Sequence, residues 1–338
     1  MLIAYSLRLI AKMKRIVILG GGTGVSTLLK GLKKYPVKLS VIVSSWDDGG
    51  SNGRLRRELK AFPFSDIRQC LAALAEEGYW KNFFKYRFAK GELKGHTAAN
   101  LFLANLQKIT GSVEEPIEIA KKLLGVQAEI FPATLSSAVL VAKLQDGRKI
   151  IGEHLVDSPR KGKFSPIKSI QLMSAKFNRK AVLAIKNADL LVFGPGDLYT
   201  SVLPNLVAPG IGQAVLKSKA TKVFIGNLMT KDGQTNGFQA SDFIFSVLEY
   251  VPNLNYAIFN KQIPPQNLVR KYRDSKSEMV QLDKDRLKAA GVNIILENLL
   301  LKQEAKKVKG DVLKRSFLRH DSKKLAELVY ELSNQKIS

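Results

Sequence analysis

The chain has a single cysteine, Cys70, in 338 residues. No disulfide framework can form, and a reducing compartment is expected. Its three histidines, His96, His154 and His320, lie far apart, and no Cys/His group has the spacing of a zinc site. No apolar run approaches the ~20 residues of a transmembrane helix, so the cytoplasm is the expected location. Acidic residues are also few: 29 Asp and Glu stand against 54 Lys and Arg, a formal net charge of +25. The excess is mostly lysine, 39 against 15 arginines, and it is spread along the chain instead of gathered in one arm. There is no aromatic strand of the kind that stacks bases. A lysine-rich composition is therefore favoured over a nucleic-acid surface, with attraction of acidic ligands or surfaces as the second reading.

What is present suits an α/β protein with a core that needs no staples. The opening "MLIAYSLRLIAK" (1–12) is apolar and basic, but "MKRIVILGGG" starts afresh at Met13 with a typical first strand. No small-residue cleavage site separates them, so 1–12 is taken as an N-terminal extension rather than a targeting signal. "RIVILGGGTGVSTLLKGLKKY" gives strand, glycine turn and helix, and "KLSVIVSSWDD" gives a second strand. "FSDIRQCLAALAEE" is an amphipathic helix with Ser65 as its N-cap and Asp66 in its first turn. "HTAANLFLANLQKIT" and "VEEPIEIAKKLLG" continue the helical pattern. Alternation of this kind predicts a parallel sheet with crossover helices.

Residues 133–157 break the order: two β runs flank Asp146-Gly147, a hairpin signal. A basic, polar, exposed connection is expected over "DSPRKGKFSPIK", after which α/β order resumes. The fold class is thus α/β, a Rossmann-like three-layer fold with a mainly parallel sheet and a β-hairpin insertion. One nucleotide-binding domain is assigned to 13–305 and a basic C-terminal helical tail to 306–338.

Four segments carry candidate chemistry, each at an expected strand end. Gly20, Gly21, Gly22 and Gly24 lie between strand and helix, where backbone amides can meet a phosphate, with Thr23 and Ser26 as added hydroxyls. The pattern is neither a full dinucleotide fingerprint nor a Walker loop, and a tight strand–helix turn is the plain alternative. Asp47 follows the second strand, where an acid commonly meets a ribose, and Asp48 suggests a second carboxylate near a divalent cation. Both reach one ligand only if the strand has already turned. Arg54, Arg56 and Arg57 follow, to meet phosphates or to form a solvated helix face. "GPGDLYTS" repeats the loop logic through Gly194, Gly196, Tyr199, Thr200 and Ser201, and "GNLMT" contributes Asn227 and Thr230. His96 is either an acid/base group, with Asn100 one turn on, or a structural residue at a helix start. His154 and His320 are assigned to the surface, Cys70 to the core, and Trp46 to core packing under the acid loop.

These segments in this order resemble the YvcK/CofD-like family, often labelled gluconeogenesis factor. The matches are "GGGTGVSTLLKGLK", "DDGGSNGRLRRE", "SDIRQCLAALAE", "YRF", "LKGHTAANLFL", "GPGDLYTSVLPNLVAPGI", "NLMTKDGQTNGFQASD" and "LKAAGV", over about residues 14–300. The resemblance is nearer to the YvcK branch than to the 2-phospho-L-lactate transferases. It implies a Rossmann-like fold that binds a nucleotide-sugar of the UDP-N-acetylglucosamine type, and a regulatory role linking carbon metabolism to cell-wall synthesis and cell shape. Cell-wall synthesis proteins are then the expected partners, and a homo-oligomer the expected state. The transferase branch implies transfer of a phospholactyl group from a guanosine diphosphate adduct, with magnesium. Carried over by motif, Gly21–Gly24 hold the diphosphate, and Asp47, Asp48 and His96 are the catalytic positions, Asp48 also a metal ligand. Arg54, Asn100 and the "GPG" loop complete the pocket. Departures at Trp46, Ala98-Ala99, Asn236 and Phe243 bear on catalysis more than on nucleotide binding.

Overall fold

The computed structural model describes residues 13–158, 165–274, 276–301 and 317–335. The N-terminal extension, the middle of the basic connection (159–164) and residues 302–316 lie outside the described residues. The first half of the chain forms β1 (Arg15–Gly20), α1 (Gly22–Leu32), β2 (Lys38–Val43), α2 (Gly50–Leu59), α3 (Ser65–Leu74), α4 (Tyr79–Lys85), α5 (Ala98–Thr110), α6 (Glu114–Leu123) and β3 (Glu129–Pro132). An insertion follows: β4 (Val139–Leu144), β5 (Lys149–Ile151), α7 (Glu153–Asp157) and β6 (Ile167–Met173). The second half runs α8 (Arg179–Lys186), β7 (Leu190–Phe193), one π-helical turn (Leu198–Val202), α9 (Leu203–Leu206), α10 (Ile211–Lys217) and β8 (Thr221–Ile225). It closes with α11 (Ala240–Leu248), β9 (Tyr256–Asn260), α12 (Gln266–Arg273), α13 (Lys284–Ala289), β10 (Asn293–Glu297) and α14 (Ser322–Asn334).

Seven strands form one parallel sheet in the order β10-β9-β8-β7-β1-β2-β3. The order reverses between β1 and β7, the topological switch point of a doubly wound sheet. Because β1 is central and apolar throughout, successive residues feed opposite layers. Ile16 and Ile18 join the core under α1, α3, α5, α6 and α14, while Val17 and Leu19 join the core under α8, α10 and α11. That gives the three layers expected from the sequence.

The insertion is larger than a hairpin. β4 and β5 pair around the Asp146-Gly147 turn as expected, but β6 also pairs antiparallel with β4, giving a three-stranded sheet in the order β5-β4-β6. The end of the expected exposed connection is therefore strand from Ile167 onward. Ile167 and Ile170 are buried in the second core, which alternation hidden behind a basic run did not reveal. Ser65 also differs from its assignment: Phe64 is the N-cap of α3, and the Ser65 hydroxyl accepts from Asn100 Nδ2 at 2.8 Å.

The helix of the C-terminal tail is present as α14, capped by Asp321, whose carboxylate accepts from the Lys323 and Lys324 amides. It is integral to the core. Leu325, Ala326, Val329 and Leu332 are buried against α1, and the Tyr330 ring lies 4.6 Å from that of Tyr35. The two helices touch at Gly31, where a Cβ would fall 2.0 Å from the Ser322 carbonyl oxygen and 2.5 Å from the Ala326 Cβ. Since both obstacles belong to a helix, a side chain there must push α14 away. Gly31→Ala is expected to destabilise the protein by about 2 kcal/mol, measured by urea unfolding; an unchanged midpoint would contradict this packing.

Candidate functional site

The loops after β1 and β7 meet at the switch point. A Cβ on Gly24 would lie 2.2 Å from the Pro195 carbonyl oxygen, so the first turn of α1 presses directly on the Gly194–Gly196 loop. Gly21 is the N-cap of α1 and makes no side-chain cap. Facing it, Asp66 Oδ2 and Ser44 Oγ lie 2.4 and 2.5 Å from the point a Gly21 Cβ would occupy. Ser44 Oγ is buried without a hydrogen-bond partner among the described residues. The hydroxyls expected to meet phosphate are turned inward: Ser26 Oγ donates to the Thr23 carbonyl at 2.9 Å, and Thr23 Oγ1 donates to Gln69 at 3.2 Å. Gln69 in turn donates to Asp66 Oδ1.

The acid pair after β2 divides its work, because the chain has left the strand by Ser44. Asp47 accepts from the Gly49 amide at 2.8 Å and from Asn52 Nδ2 at 2.7 Å, closing the entry to α2. Asp48 Oδ1 accepts from the His154 amide at 2.7 Å, at the start of α7. The Arg56 guanidinium donates to four carbonyls, those of Trp46, Asp47, Ser137 and Ala138, and so brackets the acid loop to the β3–β4 connection. That commits Arg56 to backbone rather than to phosphate. Arg54 likewise donates to the Lys94 carbonyl at 2.6 Å. Trp46 is fully buried, as expected, and its indole N–H donates to the Thr200 carbonyl at 2.8 Å, joining the acid loop to the π-helical turn.

His96 and Asn100 form a buried polar knot. His96 Nδ1 and Ser51 Oγ are 2.9 Å apart, and Asn100 bonds Ser51, Ser65 and Arg68 at once. Burial, reinforced by Arg54 and Arg87 and opposed by Glu58, holds the His96 imidazole below its ordinary pKa. With every polar atom of the Asn100 side chain used, the structural reading applies to it. Tyr199 packs edge-on against Phe238 in the second core, and Thr200 and Ser201 lie in the π-helical turn. Asn227 Nδ2 donates to the Gly196 carbonyl at 3.0 Å, and its Oδ1 has no partner among the described residues. Thr230 is tied on both sides to Glu278 and points its hydroxyl there.

Four site residues escaped the sequence reading: Glu153, Asp157, Asp197 and Lys231. Lys231 Nζ bonds Asp157 at 2.6 Å and Asp197 at 2.8 Å, pinning α7 to the loop after β7. Although burial opposes its charge, Asp197 and Asp157 hold Lys231 above the ordinary lysine value. Glu153 has no hydrogen-bond partner among the described residues. Burial, then Asp47, Asp157, Asp66 and Asp48, push its carboxyl well above the ordinary range. Burial likewise raises Asp47, against the pull of the Gly49 and Asn52 hydrogen bonds. The sequence reading places "GEHLV" in the second β run of the hairpin, whereas the strand ends at Ile151 and Glu153–Asp157 form the helix α7.

His320 also departs from expectation. It is buried, not at the surface, just before α14, with a hydrogen bond to the Gly226 backbone and with Nε2 unpartnered among the described residues. His154 is exposed, as expected.

A parallel sheet with two glycine loops meeting at its switch point defines a doubly wound, Rossmann-type protein. The chain belongs to the family described as 2-phospho-L-lactate transferase CofD, whose model matches residues 16–300. The gluconeogenesis factor of Bacillus subtilis is 39% identical over 94% of this chain and 98% of its own. That of Halalkalibacterium halodurans is 40% identical, over 95% and 97%. A crystal structure of a UPF0052 family member from Bacillus halodurans superposes with a TM-score of 0.86 at 37% identity, covering 94% of this chain and 99% of that one.

Two expectations follow from the titrating groups. Because the Glu153 carboxyl binds its proton more tightly in the folded state, native stability falls as pH rises through the ordinary carboxylate range and beyond. Glu153→Gln should therefore raise the melting temperature by several degrees at pH 8 and by little at pH 5; equal gains at both pH values would refute this. Burial depresses His320 to about 4, against about 6.5 unfolded. Its contribution to stability is complete above about pH 6.5 and is lost as pH falls toward 4. In His320→Asn, thermal melts should show a shallower loss of stability across that window than in the parent protein.

Proposed function

We propose that the chain binds a nucleoside diphosphate compound at the switch point, of the nucleotide-sugar type represented by UDP-N-acetylglucosamine. It acts as a cytoplasmic regulator that couples carbon metabolism to cell-wall synthesis and cell shape. The observation that carries this reading is the contact of Gly24 with the Pro195 carbonyl, which sets the amide end of α1 beside a second glycine loop. The gluconeogenesis factor relatives support the regulatory side. Hydroxyls turned inward and an imidazole held in a buried knot suit binding better than turnover.

The acids around Glu153 favour a second reading, in which a magnesium ion accompanies the diphosphate in phospholactyl transfer. Among the described residues no three acidic, histidine or cysteine side chains form a metal cage. The donors do fit an ion held chiefly by phosphate oxygens and one or two carboxylates. Glu153 and the second oxygen of Asp48 are the carboxylate oxygens available to it, and the ion would neutralise charge on the leaving diphosphate. The residues themselves keep the cleft acidic, so an anionic ligand is expected to bind more tightly with the cation than without.

Calorimetry and thermal shift with UDP-N-acetylglucosamine, UDP and GDP, each with and without magnesium, test both readings. A ligand at 100 times its dissociation constant should add about 2.7 kcal/mol to stability, and Gly24→Val should abolish the gain. If no nucleotide shifts the parent protein under either condition, the reading is wrong.

A further inference from the structure

At the end of α1 remote from the site, the carbonyls that finish α3 gather cations. Lys33 Nζ donates to Leu74 and Ala75, and Lys81 Nζ donates to the same Ala75 carbonyl at 3.2 Å. Two ammonium groups thus share one oxygen, as the negative end of a helix allows. Lys30, in the last turn of α1, and Lys85, in the last turn of α4, stand on the same corner. Burial, followed by the repulsion of Lys85, Arg319, Lys81 and Lys33, holds Lys30 below its ordinary value. Lys33 is lowered in the same way, by burial and then by Lys81. Among the described residues, the ion pairs at this corner give it one acidic partner, Glu77, bonded to Lys81 at 2.5 Å.

Beside these charges α4 projects aromatic rings. Tyr79 is 95% exposed and Trp80 46%, the latter standing edge-on to Phe83, which itself meets Phe84 and Phe102 edge-on. The Trp80 ring is therefore held out on an aromatic base, with Tyr79 projecting beside it. They stand as a pair at the start of a helix, short of the series of stacking rings that a nucleic-acid strand follows. Amphipathic rings at headgroup depth, surrounded by ammonium groups that reach phosphates, are the chemistry of a peripheral membrane surface.

We propose that this corner, the exposed Lys30 and Lys85 beside Tyr79 and Trp80, with Lys33 and Lys81 behind them holding the end of α3, docks the protein on an anionic lipid bilayer. No helix among the described residues is long and apolar enough to cross a membrane, so the contact is peripheral. The corner lies about 16 Å along α1 from the glycine loop, and docking leaves the strand-end cleft facing away from the lipid.

The chain supplies its own reporter, because it has only two tryptophans and Trp46 is buried. The full chain is mixed with vesicles of neutral phosphatidylcholine, or of the same lipid with about 30% phosphatidylglycerol, in about 0.1 M salt. Tryptophan emission should shift to the blue, and be quenched by brominated acyl chains, with the anionic vesicles alone. Trp80→Phe should remove the shift while sedimentation with vesicles weakens only a few-fold. Lys30→Glu with Lys85→Glu, both exposed, should lower the partition coefficient roughly tenfold or more at an unchanged melting temperature. The proposal is overturned if the anionic vesicles leave the emission unchanged, or if the doubly reversed variant sediments as well as the parent. Binding to an oligonucleotide with none to vesicles would overturn it as well.

Discussion

The first turn of α1 lies against the Pro195 carbonyl with no room for one methyl group between them. That contact fixes how closely the β1 and β7 halves of the sheet approach at their strand ends, and the rest of the cleft is braced from it. Trp46 reaches the Thr200 carbonyl, Arg56 brackets the acid loop to the β3–β4 connection, and Asp48 holds the start of α7. Lys231 closes the circuit between α7 and the loop after β7. Each brace joins segments far apart in the chain, so the cleft is a product of the whole domain and not of one motif.

Charge is distributed against the grain of the composition. A chain with formal charge +25 places Asp47, Asp48, Asp66, Asp157, Asp197 and Glu153 near one another at the strand ends, with the half-buried Lys231 paired to Asp157 and Asp197 and Arg56 beside Asp47 and Asp48. In low-dielectric surroundings such crowding raises carboxyl pKa values and costs stability. The lysine surplus, by contrast, is mostly exposed, and at the far end of α1 it is concentrated beside projecting aromatic rings. Opposite ends of one helix thus present opposite electrostatic faces.

Periodicity made the parallel sheet, its crossover helices and the β4–β5 hairpin legible, because strands buried on both faces leave continuous apolar runs and Asp-Gly marks a turn. β6 was hidden because its inward residues, Ile167 and Ile170, are spaced within a polar, basic stretch that resembles a loop. In the site, the glycine loops and the acid pair were visible as residue types at strand ends. The division of labour within the pair was not, since it depends on where the chain turns after Val43. Glu153 and Lys231 gave no signal, since a lone glutamate in a short helix and a lysine in a loop are the commonest surface residues. His320 was misplaced because a helix near a terminus was taken for surface, whereas α14 packs against α1.

The sequence by itself determined the fold class, the strand-end location of the cleft and the family, since local pattern and ordered motifs suffice for each. Only the tertiary structure decided which polar groups are spent on holding the frame and which remain for a ligand. Hydrogen-bond partners and burial are set by segments more than a hundred residues apart, as between Asp48 and His154 or Trp46 and Thr200, and no local spacing encodes them.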